Sequence, residues 1–459
     1  MNLELLRAQA REAAEHFLEQ DQEYRMGYIE AEKPHPLTRR LSQTYGESME
    51  AGIKMLLSVD AEMAQRAAAT LSTEAYARFA DTVRATLREG GRVIFSGCGS
   101  SGRLSMRLEQ SWRNAVEKLS RQYPQAACAL AEKLESVGNI MTGGDYAVIR
   151  AVESFEDSTL LGKAQVSAWK LGAKDLLVGV TATGETTSIL GTAVQALEDG
   201  AKVYMLICAD PAPLVQKMGR AREVYNHPNC SVLSLPCGPM ALTGSTRMQS
   251  STFEQLAGAA ALEGALHDIL TRRGVVHTLP DYGWYGEQFA DMVAQLQSEQ
   301  AVSVLAEASH QEQRVYEAGG LVTVYADEYL LDVLTDTTER APTFMTPPFC
   351  SADMVNAEQS WAFVKNPTCG TREAWERCFL RAPRCIEWPK ERYEALGLTA
   401  QQIEKIPDIS AKALCRFLIG AEPMPQREAH RMPMRCGWMR NRHRNASRIW
   451  RDGMLLPVS

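Results

Sequence analysis

The feature that most restricts this chain is a short apolar run leading directly into a glycine-bearing loop and a helix, and it occurs twice. Arg92-Val-Ile-Phe-Ser leads into Gly97-Cys-Gly-Ser-Ser-Gly102, and Asp175-Leu-Leu-Val-Gly-Val leads into Thr181-Ala-Thr-Gly-Glu-Thr-Thr-Ser188. NIMTGG and KVYMLICAD read as further strands separated by helix-forming stretches, and VLSLPC reads as one more. Strands alternating with helices give a parallel sheet with helices on both faces, and ligands of such sheets sit at the carboxyl ends of the strands. The predicted fold class is therefore α/β.

The first loop brings backbone N–H groups and the positive end of a helix to one place, which suits a phosphate. It also satisfies GxGxxG. A dinucleotide site, however, wants an acid about 20 positions on, at the end of the next strand, and NIMTGG is followed by none until Asp145. Ser100 and Ser101 suit a compact terminal phosphate better than a pyrophosphate. With the second loop of the same build, the predicted substrate-binding set is Gly99, Ser100, Ser101, Thr181, Thr183, Gly184, Glu185 and Thr186. The plainer alternatives are a tight turn at the first loop and helix capping by Thr183 and Thr186 at the second.

Residues 1–90 read as a helical segment in which HPLTRR is a linker, and 91–280 as the sheet domain, ending in an Ala- and Leu-rich helix from Ser251 to Arg272. Residues 281–425 form a second region, where GLVTVYADEYLLDVLTD reads as a strand entering a helix and APRCIEW as a later strand. The stretch 426–459 reads as a basic, poorly ordered tail, with eight arginines against two acids between Arg427 and Asp452; a shifted reading frame is an alternative origin. The whole chain carries a net charge of -7, so the body is acidic and a nucleic-acid partner is not expected. No stretch approaches the roughly 18 uninterrupted apolar residues of a membrane span. Eleven cysteines without a CxxC pair suggest reduced thiols and a cytoplasmic location, and no histidines stand at ligand spacing, so neither a metal nor a cofactor is expected.

GCGSSGRL, IMTGGDYA, ESFEDS, TATGETTS and LTGSTRM, in this order between Gly97 and Met248, resemble the sugar isomerase (SIS) domain of N-acetylmuramic acid 6-phosphate etherases and the glucokinase regulatory protein. The resemblance implies a phosphorylated sugar bound at the strand ends. HPLTRRL followed by MLLSVDAEM is similar to the amino-terminal segment of the regulatory protein. VTVYADEYLLDVLTDTTERAPTF is similar to the strand, helix and DASECPPTF segment of the etherases, although Tyr325-Ala-Asp-Glu-Tyr-Leu replaces its glycine loop. A second SIS-like copy, degenerate and incomplete, is therefore expected. SIS domains generally pair, by homodimer or internal tandem, and STFEQLAGAAALEGAL reads as a helix for that packing.

Etherase chemistry, as the resemblance implies it, needs one acid to protonate the leaving ether oxygen and another to abstract a proton beside the carbonyl. Glu156, in ESFEDS, matches one. The position matching the other, 14 residues after the first loop glycine, is Ser111; Glu109 is two residues away and about 200° around a helix. Glu339, in TTERAPTF, matches that acid's motif but lies in the second region. Glu156 and Glu339 are thus the candidate catalytic residues, while Asp157 and Ser158 read as a helix start and Arg103 as half of an exposed salt bridge or, like Arg247, as a phosphate neutraliser. The resemblance implies a sugar-phosphate sensor or regulator, with a sugar kinase or another regulated protein as partner. An etherase releasing lactate is the alternative, and an aldose-ketose isomerase a third reading without a histidine near the loops.

Overall fold

Five short runs, β1 (Val93–Gly97), β2 (Val137–Met141), β3 (Leu176–Val180), β4 (Lys202–Ile207) and β5 (Cys230–Ser234), pair in parallel in the order β2-β1-β3-β4-β5. The computed structural model describes residues 3–20 and 29–428. Every residue of β1, β2 and β3 is buried. Helices cover both faces of such strands, which explains why the sequence shows unbroken runs here in place of alternation. Register sets Gly97 opposite both Met141 and Val180, so the loops after β1 and β3 leave neighbouring strands at one level.

The longer helices of the first region are α1 (Leu3–Gln20), α2 (Leu41–Glu47), α3 (Met49–Leu71), α4 (Glu74–Arg88), α5 (Gly99–Gln122), α6 (Thr159–Ser167), α7 (Thr187–Glu198) and α8 (Gln249–Arg272). Tyr76, Phe79, Val83 and Leu87 give α4 a 3- and 4-spaced apolar face, and this face shares one core with Val93, Phe95 and Phe253. The helical segment is thus not separate from the sheet. HPLTRR closes into the short turn Pro36–Thr38, with His35 buried at its start. Helix α8 is buried almost throughout, and Gly258 admits Leu108 so closely that a Cβ there would lie 2.7 Å from its Cδ1. Helices α4 and α5 of the same chain cover it.

The second region contains α9 (Trp284–Leu296), α10 (Glu299–Glu317), α11 (Leu330–Phe344) and α12 (Thr371–Phe379), with two parallel strands, β6 (Val322–Tyr325) and β7 (Ala362–Lys365). Its core is shared: Leu330, Leu334, Phe363, Trp375 and Phe379 join Met106, Met141, Val148 and Phe155 of the first region. Ala382–Trp388, expected as a strand, is not one. This segment runs along the first region, and the Asp145 amide donates to the Arg384 carbonyl at 3.1 Å. Nor does the tail start at 426. Arg427 is buried, lies 4.9 Å over the Phe363 ring and donates to the Val322 carbonyl at 2.9 Å. The rest of the expected tail, 429–459, lies outside the described residues.

Where α8 meets α9, buried Glu263 accepts a hydrogen bond from the Tyr285 hydroxyl through Oε2, while Oε1 has no partner among the described residues. Burial pushes its pKa from 4.5 up to about 7, against the opposite pull of the tyrosine bond. A raised carboxyl pKa favours the folded state below the unfolded value, and that stability is lost as pH climbs through the folded one. The Glu263→Gln variant is therefore expected to gain on the parent between pH 4.5 and 8, by about 3 kcal/mol at the upper end. Parallel melting-temperature curves for the two proteins across that range would refute this.

Candidate functional site

The two loops predicted to bind substrate stand side by side, and neither helix behind them is capped by a side chain. Cys98 is the N-cap of α5 and Thr186 that of α7, without a capping bond from either. Thr186 does not cap as the plainer reading had it: its Oγ1 pairs with Thr181 Oγ1 at 2.9 Å. First-turn amides and the positive ends of both helices remain available to an anion. Gly99 has φ +53°, and a Cβ there would meet nothing within 4 Å, so its backbone faces open space. At Gly102, by contrast, a Cβ would lie 2.1 Å from Met141 Sδ; this glycine lets α5 press against the sheet.

Around the loops, Ser100 Oγ pairs with Thr246 Oγ1 of the LTGSTRM motif at 3.2 Å, and Thr142 Oγ1 pairs with Ser188 Oγ at 3.0 Å. Thr183 is half-buried and its hydroxyl makes no hydrogen bond among the described residues. Gly184 takes φ +79°, and its carbonyl accepts from the Tyr225 hydroxyl. Glu185 pairs with Arg220 at 2.8 Å. Sequence reading missed Glu32, which comes from the amino-terminal segment and lies near Gly244 and Glu185; burial first, then the Glu185 charge, raise its pKa. Nothing in its surroundings in the sequence marks it. The Ser101 hydroxyl faces inward, 3.2 Å from Glu254 Oε2.

The two candidate catalytic acids approach the same end of α5. Glu156, on the short turn Glu153–Glu156, shares a hydrogen bond with the Cys98 thiol; burial raises its pKa, and Glu153 and Asp157 add to that while the thiol bond opposes it. Ser158 starts α6 as expected, accepting from the Leu161 amide at 3.2 Å. Glu339, on α11, forms an ion pair with Arg103. That corrects the reading of Arg103 as an exposed partner: it is 5% exposed and also donates to the carbonyls of Ala147 (3.3 Å) and Val148 (3.0 Å). Arg247 donates to the Thr335 carbonyl at 2.7 Å, a second tie from the site to α11. Ser111 accepts from Arg107 at 3.2 Å. Glu109, the acid displaced by two residues, is 1% exposed and clamped by Arg113, Arg381 and Arg384. Among the described residues, no three His, Cys, Asp or Glu side chains gather as a metal site.

The second region repeats the strand, loop and helix order at β7, Asn366–Gly370 and α12, but the start of α12 is occupied by its own chain. Glu422 Oε1 accepts from the Thr371 amide and Oε2 from the Thr371 hydroxyl, both at 2.7 Å. Lys365 holds the Glu422 carbonyl, and the Ala421 amide reaches the Cys369 carbonyl at 2.8 Å. Although burial alone would raise it, the bonds from Thr371 keep the Glu422 carboxyl pKa lowered. A Cβ at Gly420 would lie 2.5 Å from Glu422 Oε2, so only glycine leaves room for the carboxylate.

Residues 76–197, which hold β1 to β3 and both loops, match the family model of the glucokinase regulatory protein N-terminal SIS domain. The chain carries a SIS domain. Against curated proteins, it is 31% identical over 186 residues to the N-acetylmuramic acid 6-phosphate etherase of Photorhabdus laumondii, covering 40% of this chain and 54% of that one. To the etherase of Salmonella agona it is 28% identical over 241 residues, covering 52% of this chain and 71% of that one. It thus spans little more than half of the first relative. Among solved structures, phosphoheptose isomerase from Neisseria gonorrhoeae aligns with a TM-score of 0.31 at 15% identity, over 51% of this chain and 99% of that one. Over residues 76–197 the family model bears out the SIS resemblance, and the matched region extends back into α4. No described helix is long and apolar enough to cross a membrane.

Proposed function

We propose that the SIS domain binds a phosphorylated sugar at the loops after β1 and β3, and that the protein works as a sugar-phosphate sensor or regulator in carbohydrate metabolism. The observation that carries this reading is the pair of uncapped helix starts rising from register-matched Gly97 and Val180. Two sets of free amides and a ring of hydroxyls answer a phosphate dianion with charge-assisted bonds. Regulation over turnover is favoured by Ser111 at the acid's position and by Glu109, whose charge three arginines already neutralise. In this reading the second region plays the pairing role of a second SIS copy, and a sugar kinase or another regulated protein is the partner.

A thermal-shift panel of hexose, N-acetylhexosamine and muramic acid phosphates tests the reading, because a ligand of the native state raises the melting point by mass action. No shift with any of them would end it. Thr183→Val is expected to weaken binding by about 1–3 kcal/mol, the worth of one hydrogen bond to a charged group. Unchanged affinity in calorimetry would remove that residue from the site. A second reading, an N-acetylmuramic acid 6-phosphate etherase, draws support from one arrangement: Glu156 bonds to Cys98 and Glu339 pairs with Arg103, so both acids approach the first turns of α5.

A further inference from the structure

Directly behind the first loop lies a carboxyl group for which the fold supplies no counter-charge. Glu254, on α8, is fully buried. Its Oε2 meets Ser101 Oγ at 3.2 Å and its Oε1 has no hydrogen-bond partner among the described residues. The ionisable groups that face it are the thiols of Cys208, just past β4, and Cys237, beyond β5. Arg66 acts on Cys237 and points to the Pro236 carbonyl at 3.5 Å, and among the described residues no cation acts on Glu254 itself. A carboxylate without a cation and with so few bonds would pay several kcal/mol for its buried charge, so the group is carried as the neutral acid. Desolvation, the largest influence on it, acts in that direction.

A neutral carboxylic acid owns one O–H donor, whereas a carboxylate only accepts. With the proton on Glu254 Oε2, the acid donates to Ser101 Oγ and the serine's own proton is released from the buried side. Ser101 sits in the first turn of α5, beside the uncapped amides. We propose that Glu254 is a positioning residue of the phosphate loop: as a neutral acid it donates to Ser101 and turns the serine hydroxyl toward a bound phosphate, and on ionising it draws that hydroxyl back. The role rests on the phosphosugar reading above. It adds a dependence of affinity on pH that the loop's fixed amides do not supply.

Two measurements on the whole chain decide it. The infrared difference spectrum between the parent and Glu254→Gln at pH 7 is expected to contain the carbonyl stretch of a protonated carboxyl group; carboxylate bands in its place would overturn the proposal without reference to any ligand. Calorimetry with glucose 6-phosphate and inorganic phosphate, from pH 7 upward where both ligands are mainly dianions, provides the second. Affinity of the parent is expected to fall roughly ten-fold as Glu254 ionises, the effect of one lost charge-assisted bond. Glu254→Gln, which keeps a permanent N–H donor toward Ser101, is expected to lose this fall. Ser101→Ala is expected to bind at pH 7 as weakly as the parent does at high pH. A fall of the same size in Glu254→Gln, or in Ser101→Ala, would overturn the role of Glu254 while leaving the phosphate site standing. Failure of the parent to bind either ligand would overturn the phosphate reading itself, and the role with it.

Discussion

Arg381→Met is expected to cost the folded protein about 3–5 kcal/mol, the typical penalty for removing one partner of a buried ion pair. Arg381 is 8% exposed and bridges two acids of the first region from the second: its Nε lies 3.2 Å from both oxygens of Glu109, and its Nη1 lies 2.5 Å from Asp145 Oδ2. Its Nη2 also donates to Asn139 Oδ1 at 2.8 Å. Three arginines, Arg113, Arg381 and Arg384, face three acids, Glu109, Asp145 and Glu135, so the network is neutral only when complete. Methionine keeps most of the volume and leaves Asp145 buried without a guanidinium. Arg384→Met should cost less, because that side chain is 34% exposed and Glu109 retains two other arginines. Urea unfolding of the three proteins at pH 7 checks this ranking, and a loss below about 1 kcal/mol for Arg381→Met would contradict it.

Lactate release from N-acetylmuramic acid 6-phosphate is expected to be slower by a factor of about 10² to 10⁴ than that of an enzyme with both acids in place. That factor is what general acid catalysis commonly contributes when a leaving oxygen must be protonated. In this chain Ser111 stands where the acid is expected, and Glu109 is spent on the arginine cluster. Glu339 remains as the match to that acid's motif, and its carboxylate is engaged by Arg103. A coupled assay for lactate on the parent and on Glu339→Gln separates the outcomes. Release at an ordinary enzymatic rate would overturn the sensor reading, and its disappearance in Glu339→Gln would assign the acid to α11.

The sheet was legible because β1 to β3 are apolar runs closed by glycine or a hydroxyl-rich turn, signals confined to a few neighbouring residues. The strand β7 was not, since its four residues sit between Trp361 and Asn366-Pro367 and carry no period of their own. Ala382–Trp388 looked more strand-like, yet its one arginine, Arg384, reaches Glu109, 275 positions earlier in the chain. Partnerships of that range leave no local pattern, which is why Arg103 was read as exposed and Glu109 only as a misplaced acid. Glu254 was hidden differently: its sequence context, STFEQLAG, is that of any amphipathic helix, and burial alone sets it apart.

Glu422 gives the second region an anion that cannot diffuse away. A tethered group acts at an effective concentration on the order of millimolar or above when its linker spans the gap without strain, and here Ala421 and Lys365 fix the linker as well. Free phosphate or a sugar phosphate arriving at the start of α12 must compete with that internal reservoir. On the phosphosugar reading proposed above, the described residues offer one open cradle, and the saturation curve with a sugar phosphate should be hyperbolic, with a single equivalent bound. On the sensor reading proposed above, occupancy would follow metabolite level without the threshold that two coupled sites in one chain would introduce.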